Sequence, residues 1–139
     1  MVTRDFITAG KAIFTVSNGK GDHYTYRITH REATAVYREM WAVALLTGPD
    51  NLNNYTYLGV LNQATGETIL TRNSKFTYDS VPVRVIRWAL GIVWRNGVFP
   101  NGYQLYHEGR CGRCGRVLTV PSSIESGIGP ECAKIMVSI

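Results

Sequence analysis

The sequence predicts an α+β protein, an antiparallel β-sheet packed on one main helix, followed by a small cysteine-bearing module. Three observations carry that expectation. Short β-rich segments separated by turn residues run from residue 6 to 72. One apolar stripe at helical spacing follows near residues 81 to 96. All three cysteines then fall between positions 111 and 132. The expected division is an α+β domain over residues 1–100 and a module over 103–139.

In chain order, Lys11 to Val16 reads as a strand, and Ser17 to Asp22 supplies turn chemistry. His23 to Ile28 returns with β-rich alternation, which puts Tyr24, Tyr26 and Ile28 on one face and His23, Thr25 and Arg27 on the other. Ala33 to Glu39 is ambiguous between a helical turn and a loop. Trp41 to Leu46 is a short apolar run, read as a buried strand, and the polar segment from Thr47 to Asn54 is a loop. Tyr55 to Leu61 forms the next strand, a turn follows through Gly66, and Thr68 to Arg72 suits an edge strand. This makes four or five strands, whose order the sequence does not give.

Ser80 is the expected N-cap of the helix, with Pro82 in its first turn. Val83, Ile86, Leu90 and Val93 form its buried stripe, while Arg84, Arg87, Gly91 and Arg95 cluster on the other side. Asn96-Gly97 and Pro100 stop it. Tyr103 to Tyr106 reads as a last strand leading to His107.

At 139 residues the chain is long enough for a real core. Its 45% hydrophobic and 18% charged content argues against disorder. The net charge is +5, and the surplus is uneven: Arg72 to Arg116 holds eight basic residues against two acidic ones. Such a stretch attracts phosphate backbones or acidic protein surfaces, or simply solvates one face. An odd, clustered set of cysteines argues against a secreted disulfide framework. The start lacks a signal peptide's apolar stretch, and no apolar run approaches the ~20 residues that span a bilayer. A soluble cytoplasmic protein is expected, without a membrane partner.

The chemistry concentrates in His107-Glu-Gly-Arg-Cys111-Gly-Arg-Cys114-Gly-Arg and Gly127-Ile-Gly-Pro130-Glu-Cys132. The spacing H-x3-C-x2-C-x17-C offers the thiolate and imidazole donors that Zn2+ takes in closed tetrahedral sites. Gly112 and Gly115 permit the tight turn that lets Cys111 and Cys114 bite one metal. Val117 to Val120, followed by Pro121, suits a short hairpin. Pro130 and Glu131 open a helix whose first turn carries Cys132, where the dipole favours a thiolate. Knuckle, hairpin and helix-borne ligand describe a treble-clef-like module. It departs from the usual pattern, because Ile135 and Met136 stand where a second helical ligand would be. His107 is the favoured fourth ligand; the alternatives are water, Glu108, His23 or His30. A closed Cys3His site would make Zn2+ structural, substituting for a core that some thirty residues cannot build.

The run from His107 to Cys132, with the phrases Ile7 to Val16, Tyr24 to Ile28, Leu46 to Asn51 and Tyr55 to Gly59, resembles a domain of unknown function in small phage and prophage proteins, especially of actinobacterial phages. The resemblance implies a phage accessory protein made in a bacterial host cytoplasm. It assigns no catalytic residue.

Three functional expectations compete. The favoured one is a non-enzymatic, zinc-containing module that binds nucleic acid or a nucleoprotein target through Arg84, Arg87, Arg95, Arg110, Arg113 and Arg116, with Tyr24, Tyr26, Tyr55 and Tyr57 either stacking bases or half-buried in the sheet. The second is a protein-binding inhibitor of a host defence system, of anti-CRISPR or anti-restriction type, docking on an acidic surface. The third, least favoured, is a treble-clef nuclease, for which residues 115 to 139 contain no His or Asn. His23 and His30, beside Asp22 and Glu32, offer the remaining acid–base pair. The Gly19-Lys20-Gly21 segment lacks the phosphate-loop pattern and reads as a turn. No small-molecule substrate is evident.

Overall fold

The computed structural model describes residues 2–119 and 121–137. The chain opens with α1 (Arg4–Ile7), capped by the Thr3 hydroxyl accepting the Phe6 N–H. The sequence reading began the sheet at residue 6. Phe6 and Ile7 instead complete this turn and bury their side chains completely.

Next, β1 (Lys11–Ser17) and β2 (His23–Arg31) form an antiparallel hairpin in register Lys11↔Thr29 to Ser17↔His23. Its loop is held by the Asn18 side-chain carbonyl, which accepts the N–H groups of Lys20 and Asp22. The predicted alternation holds. Tyr26 and Ile28 are fully buried, whereas Arg27 points to the opposite face, with its guanidinium 4.4 Å over the Tyr55 ring. Residues 32 to 39 form a loop turned by the Thr34 hydroxyl and backbone.

Two further strands, β3 (Met40–Leu46) and β4 (Tyr55–Leu61), pair with a bulge at Val43/Ala44. The edge strand β5 (Thr68–Ile69) is shorter than the expected Thr68 to Arg72. Beyond it the chain turns back, with the Thr71 N–H donated to the Ser74 hydroxyl.

The longest helix is α2 (Val81–Trp94), ending two residues before the expected limit. Asn96 takes φ +55°, and Gly97 donates its N–H to Ile92 O, which closes the last turn. Ser80 occupies the N-cap but its hydroxyl donates back to Thr77 O. All four stripe residues, Val83, Ile86, Leu90 and Val93, are buried. The Tyr26 hydroxyl donates to Pro82 O at 2.6 Å, tying the helix start to the sheet. Burial is the main reason that hydroxyl titrates far above the ordinary tyrosine value.

The last strand, β6 (Gln104–His107), returns to β1 in register Phe14↔His107 to Ser17↔Gln104. The sheet is therefore antiparallel throughout, in the order β5-β4-β3-β2-β1-β6. After β6 come α3 (Pro121–Ser126) and α4 (Pro130–Val137). The expected hairpin after Val117 does not form among the described residues; Val120 lies outside them. Proline suits the first turn of a helix, and α3 starts at Pro121.

One apolar cluster runs through the molecule. It joins Phe14, Tyr26 and Leu58 of the sheet, Ile86 and Leu90 of α2, Phe6 of α1, and Cys111, Leu118, Ile128 and Cys132 of the final segment. The boundary expected near residues 100–103 falls in the loop before β6, and the core continues across it. Among the described residues, no helix is long and apolar enough to cross a membrane.

Ile86→Ala tests the helix–sheet contact. Emptying this fully buried site should cost about 2–5 kcal/mol, read as a lower urea midpoint. Arg84→Ala, on the exposed side, should stay within about 0.5 kcal/mol.

Candidate metal centre

Strand β6 delivers the chain to the sheet edge, where a turn at Gly109 (φ +77°) starts the knuckle. The Cys111 N–H donates to Arg116 O, Gly115 donates to Cys111 O, and Leu118 donates to Gly109 O. An antiparallel bridge, Arg110↔Val117, closes this loop. Gly115 sits at φ +81°, as the chain reversal just after Cys114 requires. The third cysteine, Cys132, arrives in the first turn of α4.

The result is a cluster of three free thiols. The sulfurs of Cys111, Cys114 and Cys132 lie within 4.8 Å of one another, and together they could hold a metal ion. Tetrahedral zinc with bonds of about 2.3 Å spaces its sulfurs about 3.8 Å apart, so a small contraction suffices. Cys111 and Cys132 are buried; Cys114 is more open.

The cluster is prepared for negative charge. Cys111 Sγ accepts the N–H groups of Gly129 (3.3 Å) and Arg113 (3.4 Å). Burial pushes its thiol pKa up, but these bonds, with further donation from the Cys114 N–H and thiol, outweigh it and bring the value down to about 7. Cys132 behaves oppositely. Burial pushes its thiol up, only partly offset by the Arg113 guanidinium, whose Nη1 donates to its sulfur at 3.4 Å.

His107, the expected fourth ligand, stands apart from the three grouped sulfurs and has hydrogen-bond partners of its own. Its Nδ1 accepts the Gly109 N–H at 2.9 Å and its Nε2 donates to Ile124 O. The imidazole is thus a strut between the knuckle entry and α3. Its ring stands 5.6 Å from that of Phe6, against which Gly127 packs. The alternatives are engaged elsewhere. Glu108 accepts the Thr15 hydroxyl, His30 pairs with Glu39 and stacks on Trp41, and His23 lies against Gly21 O. Among the described residues, three sulfurs gather without a fourth His, Cys, Asp or Glu donor.

The six arginines separate into two groups. Arg110 donates to Gly115 O and Arg113 to Cys132 Sγ, so both brace the knuckle; Arg116 is exposed. On α2, Arg87 pairs with Glu67 and lies over the Tyr78 ring, whereas Arg84 and Arg95 are exposed. The tyrosines expected as possible stacking platforms are built into the sheet. Tyr26 is core, Tyr24 packs against it, and the hydroxyls of Tyr55 and Tyr57 bond Asn51 O and Thr71.

Sequence reasoning missed a different aromatic group. Trp88 is 37% exposed, and its ring meets those of Tyr103 and Phe99 edge-on at 5.2 and 5.5 Å. The helical spacing of Arg84, Trp88 and Arg95 was the available signal, since those positions share one face.

In the metal-free protein the cluster should lose its first proton near pH 7, read as a rise in ultraviolet thiolate absorbance. Because the Cys111 pKa is lowered from 9.0 to about 7, its thiolate adds stability that is full above pH 9 and fades as pH falls through 7. Cys132, shifted upward, opposes it.

A protein-family model described as a family of unknown function, DUF6011, matches residues 106–137. That segment contains the knuckle, α3 and α4, under a quarter of the chain. No curated protein matches the chain. No solved structure matches it.

Proposed function

We propose that this is a non-enzymatic phage accessory protein in which a structural Zn2+ on Cys111, Cys114 and Cys132 staples a treble-clef-like module, and that it binds nucleic acid. Zinc is the metal of choice for clustered thiolates in a site of this kind. The knuckle and the helix-borne Cys132 support the treble-clef reading, with α3 in place of the hairpin. Three thiolates leave zinc with net negative charge, a poor Lewis acid for activating water, which favours a binding role. The phage setting and a bacterial host cytoplasm rest on the sequence resemblance.

The observation that carries nucleic-acid binding is the exposed stripe Arg84–Trp88–Arg95 on α2. Positions four and seven apart share a helix face, so two guanidiniums flank one aromatic ring. Gly91, also on that face, leaves room for the Arg95 guanidinium, whose Nη1 would lie 3.4 Å from a Cβ there. Tyr103 and Phe99 extend the ledge from Trp88 into a cleft of about 930 Å3 beside α1, where Arg4 lies over Trp94. Guanidiniums take phosphates and an exposed aromatic face takes unstacked bases, which favours single strands over duplex. Arg116, exposed on the knuckle, is a further phosphate contact.

Two measurements test this. Metal analysis of the purified protein should find one zinc per chain, and strong chelation should lower its melting temperature; metal-free protein with unchanged melting would remove the staple. Fluorescence anisotropy with a labelled single-stranded oligonucleotide should show binding that weakens steeply with salt. Arg84→Glu with Arg95→Glu should reduce affinity by about tenfold or more, and Trp88→Ala by about 1–3 kcal/mol, with a smaller effect on duplex. Absence of binding at low ionic strength, or indifference to the double charge reversal, would sink the assignment.

A further inference from the structure

We propose that the metal held by Cys111, Cys114 and Cys132 keeps its fourth coordination position toward the adjoining cleft, and that this position takes the thiolate of a low-molecular-weight thiol. The inference rests on the metal reading above and adds a ligand site to it.

Geometry points outward. The three sulfurs gather without a fourth His, Cys, Asp or Glu donor among the described residues, and the remaining positions, 1, 120, 138 and 139, are Met, Val, Ser and Ile. His107, the candidate nearest in sequence, is fixed through both ring nitrogens to Gly109 and Ile124. Tetrahedral coordination therefore needs one donor beyond the three gathered sulfurs. A way in exists: all three cysteines line a cleft of about 670 Å3, far larger than the ~30 Å3 share of one water.

The walls select the donor. Arg113 and Arg116 line the cleft, and the Arg113 guanidinium already meets Cys132 Sγ at 3.4 Å. A divalent ion with three thiolates carries a net charge of −1 and a fourth thiolate makes it −2, which two guanidiniums balance. Val117, Leu118 and Ile135 give the same cleft apolar wall for a short aliphatic thiol. Zinc and its surrogate cobalt favour sulfur over a weak oxygen donor in such a set. Binding is a ligand exchange with no redox change: the S–H proton leaves to solvent as the metal–sulfur bond forms. Glu131 also lines the cleft and is the internal competitor.

The full chain loaded with Co2+ reports the donor set through its visible spectrum. Titration with 2-mercaptoethanol should intensify and shift the sulfur-to-cobalt and ligand-field bands, saturably, with release of one proton per thiol bound. Inorganic phosphate at the same concentration should leave them unmoved. His107→Ala and Glu131→Gln should keep the response. A spectrum indifferent to thiol overturns the proposal. So does a tetrahedral spectrum without added thiol that either substitution abolishes, because the site is then closed from within. If one variant does not fold, the wild-type titration and the other variant still decide. Failure of the protein to take up Co2+ or Zn2+ removes the metal reading itself, a separate outcome from uptake without a thiol response.

Discussion

The knuckle and the turn before α4 close over one buried ring. Phe6 is fully buried where α1, the knuckle and the turn between α3 and α4 converge. A Cβ at Gly112 or Gly127 would come within 2.6 Å of Phe6 Cδ1, so only glycine lets either backbone close over the ring. The same Gly112 accepts the Lys11 N–H at 2.7 Å and donates to Gly127 O at 2.8 Å. The start of β1, the knuckle and the approach to α4 are thereby locked through one residue. Cys111 and Cys114 come from a loop, while Cys132 comes from a helix that follows another helix. Their convergence is set by this packing and these backbone bonds before any ion is considered.

Local periodicity was enough to read most of the sheet and α2. Alternation assigned the faces of β2 correctly because Tyr26 and Ile28 have a buried side to choose. The stripe Val83, Ile86, Leu90 and Val93 named the buried face of α2 for the same reason. What escaped was either too short or decided at long range. Four residues of α1 contain no period, and its stability comes from burying Phe6 and Ile7. The pairing of β6 with β1 is a choice between sheet edges that no local pattern encodes. The fate of His107 was equally hidden. Spacing gives its distance along the chain from Cys111, whereas pairing with Phe14 and the turn at Gly109 decide which way the imidazole leaves the strand.

The arginine triplet is divided by its surroundings. Arg110, Arg113 and Arg116 recur every third residue, which suggests a comb of free cations. A tight knuckle exposes carbonyls and concentrates thiolate charge, and both need donors close by. Arg110 meets the first need at Gly115 O, and Arg113 the second at Cys132 Sγ. Removing either guanidinium therefore disturbs the cluster itself, so a loss of ligand binding in such variants does not identify a contact. The helix stripe is a cleaner place to look for a surface effect, because Arg84 and Arg95 are exposed there.

The distribution of buried apolar groups explains why a metal belongs at this end of the molecule. The sheet and α2 bury Phe14, Tyr26, Ile28, Leu58, Ile86 and Leu90 completely. Beyond β6, the buried apolar side chains among the described residues are Leu118 and Ile128, with Cys111 and Cys132 beside them. Each such aliphatic contributes about 1.5–3 kcal/mol on burial, while every ordered residue gives up roughly 1–2 kcal/mol of backbone entropy. A segment built this way leans on its neighbour or on a crosslink. It has the neighbour at one end, where Gly112 is bonded to Lys11 under Phe6. At the other end α4 touches the knuckle through Cys132, and the cysteines that would hold an ion are the residues that join the two. An ion placed there ties down the element that the Phe6 contact does not reach.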